Sequence, residues 1–272
     1  MNPPTPAAPI LTVEDLSIRF GGLKALTRVS FQVLPGTVTS IIGPNGAGKT
    51  TLFNCVTGFY KPSQGQVLFT PPGERHLLHQ MPIHKIARAG VGRTYQNIRL
   101  FARMTALENL LVAQHNRVNH HLLSGIFKTR AFRRSEEAAL AAAWGWLAFM
   151  GLEAEANRPA GELPYGNQKK LEVARAMAAG PRLICLDEPA AGLNNRETGD
   201  LKDLIRRLRE EHHMTVLLIE HHMGFVMDLS HQIVVLDHGE VIAQGTPGQV
   251  RSDPKVIQAY LGEDLPPIQG RA

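Results

Sequence analysis

Apolar and polar residues alternate in the first part of the chain. In Leu11–Phe20 (LTVEDLSIRF) apolar side chains recur at nearly every second position, and the Gly21-Gly22 pair that follows is typical of a turn. A second apolar stretch, Val29–Val33, comes after this turn. Two strands joined by a short turn pair in antiparallel fashion, so the pattern predicts an antiparallel β subdomain at the start of the chain.

The segment Thr37–Gly43 (TVTSIIG) has a different pattern, because its apolar run is short and nearly continuous. Such a run is typical of a strand that is buried on both faces. It leads into a glycine-rich loop, after which we expect a helix from near Gly48 to near Gly58.

Helical spacing and alanine-rich stretches dominate residues 81–179, which also contain a basic loop at 117–134. After Pro181, short apolar runs alternate with polar helical stretches, which indicates parallel strands with crossover helices. The predicted fold class is α/β, with a mixed, largely parallel core sheet, an N-terminal antiparallel β subdomain and an inserted helical subdomain. We divide the chain into a disordered lead (1–10), a core (11–80 and 180–250), the helical subdomain (81–179) and a C-terminal tail (251–272).

Composition limits the classes of protein that need to be considered. With 43% hydrophobic and 19% charged residues among 272, the chain can bury a large core, and its net charge of +5 is compatible with phosphate, nucleic acid or an anionic membrane alike. Cys55 and Cys185 lie in apolar runs and are expected to be buried, reduced thiols. The N-terminus lacks the features of a secretory signal, and the apolar run Ala138–Met150 is too short to span a membrane. We therefore predict a soluble chain that reaches a membrane only through a partner.

The stretch GPNGAGKT has the spacing G-x-x-x-x-G-K-[ST] between a predicted strand and a predicted helix. Glycines let the backbone wrap closely around phosphate oxygens, and backbone N–H groups at a helix N-terminus attract the anion. Lysine and threonine at the end of this motif are suited to reach the outer phosphates and to bind Mg²⁺. We therefore predict a nucleotide site with these cofactor-binding residues: Gly43, Pro44, Asn45, Gly46, Ala47, Gly48, Lys49, Thr50 and Thr51.

Two carboxylates follow the apolar run Leu183–Leu186 (LICL). Asp187, at the predicted strand end, is suited to hold Mg²⁺. Glu188 is expected to project to the other side, because side chains alternate along a strand, and its carboxylate could accept a proton from an attacking water. An acidic turn that merely ends a strand is the alternative, which the phosphate loop in the same chain makes less attractive.

In this order and spacing, GPNGAGKT, ELPYGNQKKLEVARAMA (Glu162–Ala178), LICLDEP, AAGLN (Ala190–Asn194) and IEH (Ile219–His221) resemble the motifs of ABC-transporter ATPases. The resemblance extends from Leu11 to about Asp264 and implies a P-loop NTPase fold of the ABC type with ATP and Mg²⁺ as cofactors. It also implies head-to-tail pairs of ATPases that close on ATP and open after hydrolysis.

The same resemblance assigns roles to individual residues. Phe20 corresponds to an aromatic residue that stacks on adenine, and Gln96 to a glutamine that contacts Mg²⁺ and the attacking water. Together with Thr50 and Asp187, Gln96 thus completes the expected metal ligands. Glu188 is the expected catalytic base.

The signature stretch Leu163–Asn167 would contact the nucleotide held by the opposite subunit, but it departs from the family pattern. Pro164 replaces the usual serine, Tyr165 the first glycine and Asn167 the usual glutamine, whereas Gly166 is retained. Proline has neither a hydroxyl nor an N–H to donate, so this composite site loses one contact to the γ-phosphate. Variation at this serine also occurs among branched-chain amino acid relatives, so we do not expect loss of activity.

The tetrapeptide Glu-His-His-Met occurs twice, at Glu211–Met214 and Glu220–Met223. The first copy closes a polar helical stretch, where imidazoles suit a helix C-terminus. The second follows the apolar run TVLLI, which places Glu220 and His221 at the carboxyl end of a predicted strand, where open α/β sheets bind ligands. By resemblance His221 contacts the γ-phosphate, whereas His222 is expected on the solvated surface. A metal site built from both copies does not fit the H-E-x-x-H spacing.

Longer stretches, Gly90–His115 and Gly125–Ala139, resemble the larger ATPase subunit of high-affinity branched-chain amino acid importers. The resemblance implies a peripheral protein on the cytoplasmic face of the cell membrane. Its partners would be a second, similar ATPase in a heterodimer, two membrane permeases and, indirectly, a periplasmic binding protein, with no nucleic acid. The predicted groove around Gln96–Phe101 would receive a cytoplasmic helix of the permease. The basic loop could face anionic headgroups or simply be solvated, and Trp144 and Trp146 are expected in the subdomain core.

Three alternatives remain open at the level of sequence. The chain also resembles the ATPase of lipopolysaccharide export, including the ending YLGED (Tyr260–Asp264), but that exporter pairs two identical ATPases. Non-transport ABC ATPases usually carry two cassettes or a long coiled coil, which are not found here. A nucleotide-binding module without catalysis is favoured weakly by Pro164 and disfavoured by Glu188 and His221.

Overall fold

The computed structural model describes residues 8–115 and 130–261. They form two compact units, whose boundaries follow Ile86 and Arg207. The strands are β1 (Leu11–Phe20), β2 (Leu23–Val33), β3 (Val38–Ile42), β4 (Gln64–Phe69), β5 (His76–Leu77), β6 (Val91–Arg93), β7 (Leu183–Asp187), β8 (Thr215–Ile219), β9 (Gln232–Asp237) and β10 (Glu240–Gly245). The α-helices are α1 (Lys49–Val56), α2 (Ile83–Ala89), α3 (Ala106–Ala113), α4 (Arg130–Met150), α5 (Tyr165–Ala178), α6 (Asn195–His212), α7 (Met223–Leu229), α8 (Pro247–Arg251) and α9 (Pro254–Leu261).

Parts of three predictions lie outside the described residues. These are the first seven residues of the predicted lead, the basic loop from its start through residue 129, including Arg117 and Lys128, and the tail beyond Leu261. Among the residues that are described, no helix combines the length and the apolar character that a membrane crossing requires.

The first unit contains the antiparallel sheet that the alternating pattern predicts, in the order β2-β1-β4-β5. β1 pairs antiparallel with both β2 and β4, and Leu11, Val13, Leu16 and Ile18 are buried. The spacing of three between Val13 and Leu16 breaks strict alternation. The strand accommodates it by a register shift at Asp15, which has a left-handed φ of 46°, so that Leu16 returns to the buried face.

A second set of strands in the same unit runs in the order β10-β9-β3-β8. β3 is parallel to both β8 and β9, whereas β10 is antiparallel to β9. Every residue of β3 and β8 is buried, as expected for short apolar strands covered on both faces. The carboxyl ends of β3 and β8 therefore lie at the same edge of this sheet, and the segments that follow them are brought together there.

The second unit is mainly helical, as predicted, but it also contains a short strand that the sequence pattern did not predict. β6 comprises three residues and pairs in parallel with β7, Val91 opposite Leu183 and Arg93 opposite Cys185. Three residues are too few to show an alternating pattern, which is why this strand was not apparent from periodicity. Helices α3, α4 and α5 pack against one another beside it.

The two tryptophans of α4 depart from the prediction that they form the subdomain core. Trp144 is 39% exposed, whereas Ala143, Leu147 and Met150 of the same helix are buried. These three residues are spaced four and three apart and therefore share one helix face, which excludes Trp144 from the packed side. Trp146 is half-buried and packs edge-on against Phe149, with ring centroids 5.7 Å apart.

Both cysteines are free and buried, as predicted. Burial in apolar surroundings raises the pKa of the Cys55 thiol to about 12. Burial likewise raises the pKa of the Cys185 thiol to about 12. Both side chains therefore remain protonated near neutral pH and serve as small apolar core residues.

Candidate active site

The glycine-rich loop begins directly after β3 and has a backbone that only glycine adopts readily. Gly43 has a φ of 151°, and a Cβ there would lie 2.0 Å from the carbonyl oxygen of Leu236. Gly48 has a φ of 98°, and a Cβ there would lie 2.8 Å from the Ala25 carbonyl oxygen. Glycine at these two positions thus lets the loop pass close to β9 and β2 before it enters the helix.

Helix α1 begins at Lys49 with its N-terminus unprotected by a side chain. Gly48 is the N-cap, no side chain caps the helix, and its first turn contains no acidic residue. The first N–H groups of a helix are unsatisfied within it and carry a partial positive charge, so this terminus favours an anion. Asn45, Gly46 and Thr50 are exposed beside it, and Thr51 is half-buried.

The Lys49 side chain is folded back onto the loop. Its ammonium donates hydrogen bonds to the carbonyl oxygens of Gly43, at 2.7 Å, and Pro44, at 2.8 Å. The residue is only 8% exposed. These two bonds hold the ammonium at the mouth of the loop. There it can exchange a carbonyl oxygen for a phosphate oxygen, whose negative charge makes it the stronger acceptor.

The second Glu-His-His-Met copy follows β8 at the edge where the glycine-rich loop begins. Ile41 of β3 is opposite Ile219 of β8, so Gly43 and His221, each two residues further on, follow neighbouring strands. Glu220 is fully buried, and its Oε2 accepts the backbone N–H of His221 at 3.2 Å. His221 is exposed. The predicted position of Glu220 and His221 at a strand end is confirmed, with Glu220 holding the turn that presents His221.

His222 is exposed, as predicted, and it also has a role that the sequence pattern did not indicate. It is the N-cap of α7, and its Nδ1 accepts the backbone N–H of Phe225 at 3.1 Å. The first copy ends α6 as predicted, since the helix stops at His212 and His213 takes a left-handed φ of 51°. Among the described residues, no group of three or more His, Cys, Asp or Glu side chains is arranged to hold a metal ion.

Phe20 ends β1 with its ring largely accessible, at 44% exposure. The ring of Tyr60, which is 39% exposed, packs edge-on against it, with centroids 5.1 Å apart and an interplanar angle of 70°. A ring that is held on one side and accessible on another is suited to stack on a planar ligand. Tyr60 could not be predicted as a partner of Phe20 from local pattern, because 40 positions separate the two aromatics along the chain.

In the second unit, Asp187 ends β7 and is only 5% exposed. The Nη2 of Arg93, at the end of β6, donates a hydrogen bond to Asp187 Oδ2 at 3.0 Å. The side chains of this ion pair are 9% and 7% exposed. Arg93 was not among the predicted site residues.

Glu188 lies just beyond the end of β7 rather than within the strand. Its φ is 46°, in the left-handed region that non-glycine residues seldom occupy. The expectation that it simply alternates with Asp187 along a strand therefore does not describe its backbone. Gln96 Nε2 donates to Glu188 Oε2 at 2.8 Å, so these two predicted catalytic residues contact each other. Strained backbone of this kind is common at functional sites, where the surrounding fold maintains it.

Helix α5 fixes the segment that carries Gln96. Lys169, 3% exposed, donates to the backbone carbonyl oxygen of Gln96 at 2.9 Å, and Glu172 accepts the backbone N–H of Arg99 at 3.2 Å. Burial raises the pKa of the Glu172 carboxyl, although the Arg99 N–H and the charge of Lys169 oppose the rise. The two side chains are three residues apart on α5, and both therefore face the Gln96 segment.

The signature stretch forms the start of α5. Pro164 is its N-cap, without a side-chain hydrogen bond, and Asn167 is half-buried. Tyr165 is 44% exposed, and its hydroxyl donates to the carbonyl oxygen of Ala191 at 3.3 Å. A Cβ on Gly166 would lie 2.7 Å from Glu197 Oε1, so the space that this glycine leaves is occupied by a side chain of α6. The stretch is thus tied to Ala190–Asn194 within the same unit.

Comparisons with known proteins agree with these features. The sequence profile of the ABC transporter family matches residues 26–191, and that of the branched-chain amino acid ATP-binding cassette transporters matches residues 240–265. The chain is 57% identical over 255 residues to the high-affinity branched-chain amino acid transport ATP-binding protein BraF of Pseudomonas aeruginosa, covering 94% of this chain and 98% of that protein. It is 51% identical to LivG of Escherichia coli K12, with the same coverage of both chains.

Solved structures show the same fold. An ATP-binding cassette of an ABC transporter in its ADP conformation has a TM-score of 0.80 and 35% identity, covering 94% of this chain and 100% of that one. A dimeric ATP-binding cassette bound to ADP and phosphate has a TM-score of 0.69 and 26% identity, covering 87% and 98%. The α/β fold of the ABC type is thereby confirmed. The chain belongs to the ABC transporter family of nucleotide-binding ATPases, in the group that includes the branched-chain amino acid transport proteins BraF and LivG.

Proposed function

We propose that this chain is the ATP-hydrolysing subunit of an importer that couples ATP binding and hydrolysis to uptake of branched-chain amino acids. The observation that carries the ATPase function is the loop Gly43–Thr50, in which a glycine-defined backbone, the Lys49 ammonium and an uncapped helix N-terminus lie together. The cargo rests on the relatives, which are named as ATP-binding proteins of high-affinity branched-chain amino acid transport.

In this proposal backbone N–H groups of the loop and of the first turn of α1 bind the phosphates, and Lys49 exchanges its two carbonyl partners for phosphate oxygens. Phe20 stacks on the adenine ring. Glu188 accepts a proton at its carboxylate from the attacking water, and His221 contacts the γ-phosphate.

The residues proposed to hold Mg²⁺ are Thr50, Gln96 and Asp187. Hydroxyl, amide and carboxylate oxygens are the hard donors that Mg²⁺ prefers, and Asp187 is fixed by a hydrogen bond before any metal arrives, so these residues fit the ion. When bound, Mg²⁺ would neutralise charge that develops on the phosphates. Gln96 would, in addition, keep Glu188 in place through the hydrogen bond between their side chains.

We further propose that the chain works as one half of a head-to-tail pair with a second, similar ATPase. Pro164, Tyr165, Gly166 and Asn167 would then face the nucleotide of the partner. Because Pro164 donates no hydrogen bond from a side chain or from an N–H, the site completed by this signature would turn over more slowly than the site completed by the partner's signature.

Two permeases and a periplasmic binding protein would complete the importer, with this chain peripheral on the cytoplasmic face of the membrane. Exposed Phe101, with Arg175 positioned over its ring, lies at the end of the Gln96–Phe101 segment and offers an apolar contact for a permease helix. The division into a core, an inserted helical subdomain and a tail, at the boundaries predicted from sequence, remains part of this proposal.

The test is to reconstitute the chain with its ATPase and permease partners in vesicles and to measure ATP hydrolysis and leucine uptake. Glu188→Gln is expected to lower hydrolysis by a factor of about 10²–10⁴, the usual contribution of a general base, while ATP binding persists. Glu155→Gln is the matched control, because it makes the same change at a carboxylate that pairs with Arg158 and has no proposed role in the site. Unchanged hydrolysis in Glu188→Gln would refute the catalytic assignment, and hydrolysis that is not stimulated by leucine import would refute the cargo.

A further inference from the structure

The buried ion pair between Arg93 and Asp187 links the two parallel strands of the second unit. The guanidinium of Arg93 donates to Asp187 Oδ2 at 3.0 Å, and both side chains are less than one-tenth exposed. β6 contributes Arg93 as its last residue, and β7 contributes Asp187 as its last residue. The pairing of Arg93 with Cys185 in the ladder brings the guanidinium to the end of β7.

The Arg93 side chain is itself held in place. Its guanidinium lies 5.0 Å from the centre of the Tyr95 ring, and the guanidinium of Arg99 lies 4.3 Å from the same ring. Arg99 therefore shares the aromatic contact with Arg93, but the ion pair with Asp187 is made by Arg93. An arginine that is both stacked and hydrogen-bonded loses little further freedom when its partner binds a ligand.

A carboxylate that is buried to this degree is costly unless it is paired. Arg93 donates to one oxygen of this carboxylate, Oδ2. The other oxygen, Oδ1, does not take part in that hydrogen bond. A carboxylate that ligates a metal is commonly oriented by a hydrogen bond to its other oxygen, and removal of that outer partner weakens metal binding.

We propose that Arg93 is a positioning residue for the metal-binding carboxylate of Asp187. It holds Oδ2, keeps the carboxylate oriented within a buried site, and presents Oδ1 to the divalent cation that accompanies the nucleotide. The proposal rests on the function proposed above, in which Asp187 is a ligand of Mg²⁺.

Two physical effects of Arg93 on a neighbouring cation oppose each other. Its positive charge repels the cation, whereas its hydrogen bond orders the ligand. The pair is nearly neutral as a unit, and without Arg93 the carboxylate loses the hydrogen bond that fixes its orientation. We therefore expect ordering to prevail, so that removal of Arg93 weakens the binding of the metal.

The experiment measures Mn²⁺ binding by electron paramagnetic resonance, in place of Mg²⁺, to the purified full chain with a non-hydrolysable ATP analogue. Arg93→Met is expected to raise the apparent Kd for Mn²⁺ by about 10–100-fold, the range found when an outer partner of a ligand is lost. Arg93→Lys keeps the charge and one donor and is expected to restore part of the affinity. Arg99→Met is the matched control, because it alters the same Tyr95 contact without touching Asp187, and its Kd is expected to equal that of the wild type.

The affinity of each protein for the ATP analogue is also measured by fluorescence in EDTA, which removes the metal. This measurement separates a loss of metal positioning from general damage to the nucleotide site. The affinity is expected to be the same in all four proteins. An unchanged or tighter Mn²⁺ Kd in Arg93→Met, or an equal loss in Arg99→Met, would overturn the proposal. Should Arg93→Met fail to fold, Arg93→Lys decides alone, because wild-type Mn²⁺ affinity in that variant would show that the arginine geometry is not needed. If the wild-type chain did not bind the analogue at all, the proposed ATPase function itself would be refuted. The EDTA measurement distinguishes that outcome from a failure of the Arg93 proposal alone.

Discussion

Gly43 and Gly46, in the phosphate-binding loop, give a matched test of how the fold constrains the nucleotide site. In Gly43→Ala the new Cβ would lie 2.0 Å from the Leu236 carbonyl oxygen and 3.0 Å from its carbonyl carbon. Because Ile42 of β3 is opposite Val235 of β9, the obstacle is the backbone of a neighbouring core strand. Such an obstacle cannot rotate away as the end of a side chain can.

The expected cost has two parts. The positive φ of 151° at Gly43 costs an alanine about 1–3 kcal/mol. Displacing packed backbone adds about 1–3 kcal/mol, as in overpacked cores. In Gly46→Ala the φ of 80° costs an alanine about 1–2 kcal/mol, and no atom lies within 4 Å of the new Cβ to add a second cost.

The assay compares urea and thermal unfolding of the two variants and the wild type without nucleotide, so that ligand binding does not contribute to stability. For a chain of this size each kcal/mol lowers Tm by roughly 2–4 °C, so we expect Gly43→Ala to unfold several degrees below Gly46→Ala. Equal losses of stability, or a larger loss in Gly46→Ala, would refute the claim that β9 sets the path of the loop.

Two further predictions concern histidines. His222→Ala removes the side-chain acceptor for the Phe225 N–H and is expected to lower the free energy of unfolding by about 0.5–2 kcal/mol. His222→Asn keeps an acceptor and is expected to keep most of the stability. Urea titration of both variants checks this, and identical losses would contradict the capping role. Burial and then the charge of Arg209 lower the pKa of His231, whose Nδ1 accepts the Val38 N–H, so the folded state favours the neutral ring. The stability that neutral His231 contributes is complete above its ordinary pKa and is lost as pH falls below it. The free energy of unfolding, measured between pH 8 and pH 5, should therefore decline more steeply for the wild type than for His231→Asn. Parallel curves would contradict this assignment.

Much of the fold was predictable because it is encoded locally. The run Thr37–Gly43 is apolar and short, and the loop after it contains the glycines and lysine that a phosphate site needs, so strand, loop and helix follow from adjacent residues. The end of α6 at His212 and of β8 at Ile219 also agree with the sequence, because each boundary is marked by a change of hydrophobic period within a few residues.

Other features depend on which distant segments become neighbours. Local pattern could not predict β6, because this strand has only three residues. It also misassigned Trp144, because the buried face of α4 depends on the helices that pack against it. The capping role of His222 was likewise not predicted, since a helix N-cap is recognised only once the start of α7 is known.

Residue types and their local spacing establish the available chemistry: a phosphate loop, two carboxylates after an apolar strand, and a histidine after another. How these groups are held depends on contacts between remote segments. Arg93 reaches Asp187 across 94 positions and Gln96 reaches Glu188 across 92, through strand pairing and helix packing that join remote segments. The physical reason is that residue type and spacing fix what a short segment can do, whereas the partner of a buried charge depends on register and packing, which no short segment contains.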